Sequence, residues 1–332
     1  MCYKDEVQKR NEAKLQRKFE EDNVPEFIRD FFTQISSRAT RINYWVTIKD
    51  VLLWLLENKD IGKNSISEIQ PEDFVSIRKH KLISYLGYLK NDKGIKLTTL
   101  QTKKNQLGSF WEYLKEEEYV RKNIIHMIKS EEFKPTRTNR RKLIKMPLYE
   151  DIIEMNEKIQ KKQDDFIRIR NLIVFRVLRG TGLRESELAG LDLDDVFLED
   201  KHPYILVISK GTYDYTDDGK DIVYLTRDAA SALYDWLEYR KNIRTIVDAE
   251  AVFLNKNGKR LNEKNIQNIF KNYSGGKITP HMTRHEYITV LTKESGGDIT
   301  FAQEQARHKS SNTTMFSYDS GASRSLAILE NL

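Results

Sequence analysis

Residues 164–179 carry Phe166, Ile169, Leu172, Ile173, Phe175, Val177 and Leu178, apolar side chains on more than one helical face, and then run into Gly180-Thr181-Gly182. A helix wet on one side shows a single apolar stripe, whereas one apolar on several faces must be covered on several sides. This segment predicts the central helix of a sizeable domain. The two glycines predict a turn that delivers Arg184 to the start of the next helix. Residues 204–208 and 222–225 read as strands, joined as a hairpin through a polar loop containing Gly211 and Gly219. Helical periodicity returns over 228–240 and 262–273, with a short apolar run at Val252-Phe253-Leu254 and a turn over 255–258 between them. This half of the chain is expected to be mixed α/β.

The other half has a different texture. Phe27, Phe31 and Phe32, then Trp45, Ile48, Leu52 and Leu55, recur at helical spacing. Gly62 and Asn64 break the pattern, and Pro71 suits the first turn of a helix running toward Leu89. A turn over 91–94 precedes a helix marked by Leu100, Leu107, Phe110 and Leu114, and 119–128 supplies a short last one. No strand pattern interrupts, so residues 24–130 predict a compact four- or five-helix domain. Trp45 and Trp111 are expected in its core rather than stacked on bases. Arg38, Arg41, Lys103 and Lys104, near helix starts, are the candidates for contact with an anionic partner. Residues 1–23 mix both charge signs without a strong apolar stripe and predict a solvent-exposed helix or frayed arm.

A length of 332 residues fits two such domains. No run approaches the roughly 18 apolar residues of a membrane span, and the charged N-terminus does not read as a signal peptide. The single cysteine, Cys2, excludes an internal disulfide framework and Cys-rich zinc sites, and fits a reducing cytoplasm. Lys and Arg exceed Asp and Glu by 56 to 50, a mild surplus of +6. Its distribution says more. Residues 134–145 hold Lys134, Arg137, Arg140, Arg141, Lys142 and Lys145 with no acid, whereas 192–200 is strongly acidic. Placed between two domains, the basic run fits a phosphate backbone at least as well as a plain solvated linker.

Near the C-terminus His281-Met282-Thr283-Arg284-His285, His308 and Tyr318 bring one fixed cation, three imidazoles and a late tyrosine into a short stretch. A planar guanidinium suits the paired oxygens of a phosphate. A tyrosine beside such a pocket can act as a nucleophile once cations help a phenol whose ordinary pKa is about 10. Upstream stand Arg184 with Glu187, and Lys210 after the apolar run Tyr-Ile-Leu-Val-Ile-Ser. An isolated His-x-x-Arg or hairpin lysine is commonly a solvated charge, and Lys220 across the hairpin is a rival to Lys210.

The order Arg184, Lys210, His281-x-x-Arg284, His308, Tyr318 resembles the tyrosine recombinases, the phage-integrase and Xer-like family of site-specific recombinases. The resemblance runs from about Val24 onward and is densest from Pro147 to Tyr318. It implies an all-α, SAM-like core-binding domain over 24–130, a basic linker over 131–146, a mixed α/β catalytic domain over 147–318, and a tail over 319–332 that docks in cis or on a neighbouring protomer. It implies that Arg184, Arg284 and His308 hold the scissile phosphate and that Lys210 protonates the leaving 5′ oxygen. His281 orients Arg284, touches the phosphate or serves as a base. Tyr318 forms a 3′-phosphotyrosine, with Glu187 and His285 in support. Arg38, Arg41, Lys103 and Lys104, joined by Arg137, Arg140, Arg141 and Lys142, become the DNA-contact candidates. The reaction so implied needs no cofactor and no metal, because the phosphotyrosine conserves the bond energy. The implied partner is double-stranded DNA bearing a specific recombination site, held by a tetramer through a Holliday junction, in a prokaryotic cytoplasm at the nucleoid. An accessory or directionality factor, and the choice among integration, excision and dimer resolution, stay open. A type IB topoisomerase-like relaxing enzyme and an inactive DNA-binding clamp are the alternatives. Two departures mark this chain. Nine residues separate His308 from Tyr318, one more than the family usually shows, and Ala306-Arg307 precedes His308 where the family commonly has Leu-Gly.

Overall fold

The computed structural model describes residues 3–128, 133, 146–208 and 219–296. The chain divides into two compact units, residues 1–141 and 142–332.

The first unit is helical: α1 (Tyr3–Glu21), α2 (Glu26–Phe31), α3 (Arg38–Glu57), α4 (Lys79–Asn91) and α5 (Leu97–Glu116). Ser37 starts α3 by accepting the Thr40 N–H, one of the orphan donors of the first turn. Trp45, Ile48, Val51, Leu52 and Leu55 then recur every three or four residues and are all buried, as are Leu100, Leu107, Phe110, Trp111 and Leu114 on α5. The two helices pack together, and the Thr47 hydroxyl donates to Gln106 Oε1 across the seam at 2.6 Å. Trp45 and Trp111 are core residues, as expected.

Three local expectations change. Residues 1–23 are not a free arm: Leu15 and Phe19 are buried, and Phe19 meets Trp45 edge-on at 5.5 Å. Two large apolar residues one turn apart suffice to dock a helix, contributing roughly 4 kcal/mol before entropy is counted. The helix from Pro71 is two pieces, a 3₁₀ segment Pro71–Ser76 and then α4, because Ile77 turns extended to reach the core. Residues 119–128 form turns rather than a helix. There Asn123 Oδ1 accepts from the N–H groups of Ile125 and His126, and its amide donates to Gly108 O and Glu112 Oε2. A side chain that satisfies local backbone donors removes the incentive to coil.

The second unit contains α6 (Tyr149–Gln160), α7 (Asp165–Thr181), α8 (Glu185–Ala189), strands β1 (Val196–Phe197), β2 (Tyr204–Val207) and β3 (Asp221–Tyr224), α9 (Arg227–Arg240), α10 (Glu263–Ser274) and α11 (Pro280–Glu294). Asp164 caps α7 through the Ile167 N–H at 2.9 Å. As its apolar pattern predicts, α7 is covered on several sides, by α6, α9 and α11. The strands form one antiparallel sheet in the order β1-β2-β3, with Tyr204 opposite Tyr224, so the expected hairpin pairing is present. Its connecting loop, residues 209–218, lies outside the described residues, as does most of the basic run over 131–146 and all of the tail over 319–332.

Three arginines of this unit are structural. Arg170 donates to Leu254 O, and burial brings its pKa down to about 10. Arg240 donates to the carbonyls of Asp248, Ala249 and Ala251. Arg260 donates to Ala189 O and Leu191 O, where the chain leaves α8, and pairs with Asp192 and Asp248. Among the described residues, no helix is long and apolar enough to cross a membrane.

The end of α7 sets the position of everything that follows. Gly182 adopts φ +59°, and a Cβ there would lie 2.5 Å from Tyr287 Cδ1 on α11. Gly182→Ala is therefore expected to cost about 2 kcal/mol, combining left-handed strain with overpacking. Thermal unfolding should detect it as a drop of about 4–8 °C in the transition of this unit. An unchanged transition would mean that the turn tolerates a side chain.

Candidate active site

Arg184 is the N-cap residue of α8, placed there by the left-handed turn at Gly182. Its own N–H donates to Glu187 Oε2 at 2.9 Å, and its Nη1 donates to Glu187 Oε1 at 2.5 Å. A carboxylate at the third helical position suits the orphan N–H groups and positive end of a helix start. Glu187 is only 4 % exposed, whereas the Arg184 side chain keeps 29 % of its surface.

From the other side comes Arg284 on α11, a helix begun by Pro280 and by Thr279, whose hydroxyl accepts the Met282 N–H. Arg284 is 1 % exposed; its Nη1 donates to Gly182 O at 2.6 Å and lies 3.9 Å from Glu187 Oε2. Two arginines far apart in sequence thus converge on one buried carboxylate. An acid in this place compensates two cations that would otherwise repel each other, and it fixes their orientation before any anion arrives.

One turn apart on α11, the rings of His281 and His285 meet at 4.4 Å, nearly perpendicular. Burial, then the neighbouring His281 and Arg284, lower the His285 pKa, which favours the neutral imidazole. His281 is exposed. The motif residues Arg184, Glu187, His281, Arg284 and His285 are therefore neighbours around the α7–α8 turn and the first half of α11. Lys210, His308 and Tyr318 lie outside the described residues. So do Arg137, Arg140, Arg141 and Lys142. The rival lysine, Lys220, is paired with the buried carboxylate of Asp195.

In the helical unit the basic candidates have partners of their own. Arg38 and Arg41 both face Glu12 of α1, at 3.4 and 3.1 Å. Lys103 pairs with Asp50 at 2.8 Å, and Lys104 donates to Ile128 O. One pair near the site had no place in the sequence reading: Arg179, the last cation before the Gly-Thr-Gly turn, chelates Glu286, which directly follows His285. The signal was available as opposite charges flanking the two motifs. Among the described residues, no group of three or more His, Cys, Asp or Glu side chains could hold a metal ion.

Residues 148–322, more than half of the chain, match the model of the Phage integrase family. The tyrosine recombinase XerC of Natranaerobius thermophilus is 29 % identical over 246 residues, covering 71 % of this chain and 76 % of that protein. The tyrosine recombinase XerC of Caldanaerobacter subterraneus is 25 % identical over 321 residues, 92 % of this chain and 85 % of its own. Among solved structures, the XerH site-specific recombinase bound to palindromic difH substrate superposes with a TM-score of 0.59 at 22 % identity, over 84 % of this chain and 75 % of that one. The Tn1549 transposon integrase in complex with circular intermediate DNA gives 0.59 at 18 % identity, over 86 % and 92 %. The fold is thus the helical domain plus α/β catalytic domain of these enzymes, and the chain belongs to the phage integrase family. Its activity is that of a tyrosine-type site-specific recombinase.

Proposed function

We propose that the chain breaks and rejoins double-stranded DNA at a specific site through Tyr318. The Tyr318 oxygen attacks the scissile phosphorus, a P–O bond forms to the tyrosine, and the bond to the 5′ oxygen breaks. Lys210 gives the leaving oxygen its proton. The product is a 3′-phosphotyrosine and a free 5′-hydroxyl. Attack by a 5′-hydroxyl from a second duplex reverses the chemistry, and two such exchanges make and resolve a Holliday junction.

A phosphodiester carries one negative charge and gains a second at the pentacoordinate stage, so catalysis rests on donors held where that charge grows. The observation that carries the reading is the convergence of Arg184 and Arg284 on Glu187 beside the His281–His285 pair. Arg184, whose side chain is 29 % exposed, is read as donating to the non-bridging oxygens. Arg284, held on Gly182 O, completes the positive pocket, and His308 adds a further donor. His281 orients Arg284, touches the phosphate or, as the base, takes the proton that the Tyr318 phenol loses as it attacks, and neutral His285 is suited to hydrogen bonding in support. The relatives' names favour recombination over a relaxing enzyme or an inactive clamp. The test is incubation with a DNA duplex nicked near its site, which traps the cleaved strand. A covalent protein–DNA adduct is expected, and its absence would refute the reading.

DNA is the partner that this chemistry requires, and a tetramer on two duplexes is the assembly that exchange requires. The segment over 134–145 is read as a grip on the DNA backbone that is independent of base sequence. Neutralising Arg140, Arg141 and Lys142 together should then lower the salt slope of binding by up to ~3, about one for each phosphate that no longer meets a cation. An unchanged slope in a filter-binding or gel-shift titration would return this segment to a solvated linker. Of Arg38, Arg41 and Lys103 in the helical unit, Arg38 has the most open side chain, 44 % exposed against 17 % for Arg41 and 14 % for Lys103. It is the first residue there to test for phosphate binding.

A further inference from the structure

Helix α11 carries His281, Arg284 and His285, so its rotation about its own axis decides where those groups point. Pro280, Thr283, Arg284, Tyr287 and Leu291 are buried and define its inner side. At about 100° per residue, His281 and His285 fall on one flank, roughly 100–140° from that inner side, and Glu286 falls on the opposite flank. There the Arg179 Nη2 and Nε donate to the two Glu286 oxygens at 2.6 and 3.1 Å. Arg179 is itself held over the Phe175 ring at 5.6 Å, one turn back on α7. The Glu286 side chain is only 18 % exposed, so the pair is partly shielded from water.

A bidentate guanidinium–carboxylate pair fixes angle as well as distance. The α7 end of the link lies one residue before Gly180 and three before Gly182, whose carbonyl receives Arg284. The inner side of α11, through Arg284, and one of its flanks, through Glu286, are therefore tied to the end of α7 and the glycine that caps it. With side chains reaching about 5–6 Å from a helix axis, a rotation of about 10° would move the histidine rings by about 1 Å. Displacement on that scale can cost up to about 10²-fold in rate.

We propose that Arg179 and Glu286 are positioning residues that set the rotation of α11 and so align His281, Arg284 and His285 on the scissile phosphate. This rests on the cleavage chemistry proposed above. The test compares Arg179→Met, Glu286→Gln and the exchanged pair Arg179→Glu/Glu286→Arg in single-turnover adduct formation on the nicked duplex, at a temperature where all remain folded. Each single variant is expected to form adduct about tenfold more slowly with DNA affinity unchanged within about twofold, and the exchanged pair to recover at least ~3-fold of that loss. Slower cleavage tracks alignment only if affinity holds, and recovery by the exchanged pair is not expected of a general loss of stability. Normal rates in the single variants, or no recovery in the exchanged pair, would overturn the inference. Failure of the unsubstituted protein to form adduct would instead refute the cleavage reading, and this inference with it.

Discussion

Tyr318→Phe is expected to bind the duplex as tightly as the unsubstituted protein and to form no covalent adduct. The substitution removes one oxygen and keeps the ring, so interactions made through the aromatic face survive. Affinity for a duplex rests largely on cations that neutralise phosphates, and this change alters no cation. The chemical step, by contrast, loses the oxygen to which the attack is assigned, and Tyr318 is the only tyrosine after His308. Loss of an activated nucleophile removes most of an enzyme's rate advantage, so adduct formation should fall at least ~10³-fold. Gel shift reads the affinity, and a denaturing gel of the nicked-duplex reaction reads the adduct. A persistent adduct would move the nucleophile to another residue.

Arg184→Lys should leave binding near normal and slow cleavage by at least ~10²-fold, the range found when one preorganised oxyanion donor is removed. The structure adds a reason beyond the loss of the fork. Arg184 uses its Nη1 to hold Glu187, and a guanidinium has further N–H donors that a phosphate could engage. A lysine ammonium is a single point charge on a flexible stem, so in this place it must choose between the buried carboxylate and the phosphate. Glu187 is desolvated and close, and it also faces Arg284. The lysine would be held by the carboxylate, and the growing charge on phosphorus would lose its partner. Single-turnover cleavage beside a binding isotherm checks this. Cleavage within threefold of normal would make Arg184 a structural residue that caps α8.

Much of this was readable from the sequence where periodicity was strong. α7 announced itself as a central helix because apolar residues cover several of its faces, and the glycines after it forecast a turn into Arg184. The antiparallel pairing of β2 with β3 followed from two short apolar runs around a polar loop. Expectations failed where a few tertiary contacts outvoted the local pattern. Leu15 and Phe19 are too sparse to show as a stripe, yet both are buried, and Phe19 packs against the rings of Phe32 and Trp45. Asn123 cannot be known as a turn-former until Gly108 and Glu112 are seen beside it. Composition likewise cannot tell a cation that meets DNA from one that meets Glu12 or Asp50. At the site, motif order suggested that Arg184 and Arg284 belong together. That they share one carboxylate, and that Glu286 braces the same helix, needed coordinates.

The arginines that bind backbone carbonyls give the net charge of this protein a double meaning. Arg170, Arg240 and Arg260 count toward a surplus of +6, yet their donors are spent on Asn171 and on residues 189–192 and 248–254 of the same unit. Mobile ions reach exposed charges far more readily than charges enclosed by protein. Raising the ionic strength should therefore strip DNA from the enzyme well before it loosens the frame behind Arg184. Recombinase washed from its site at high salt ought to regain full activity on dilution, with its phosphate pocket still assembled.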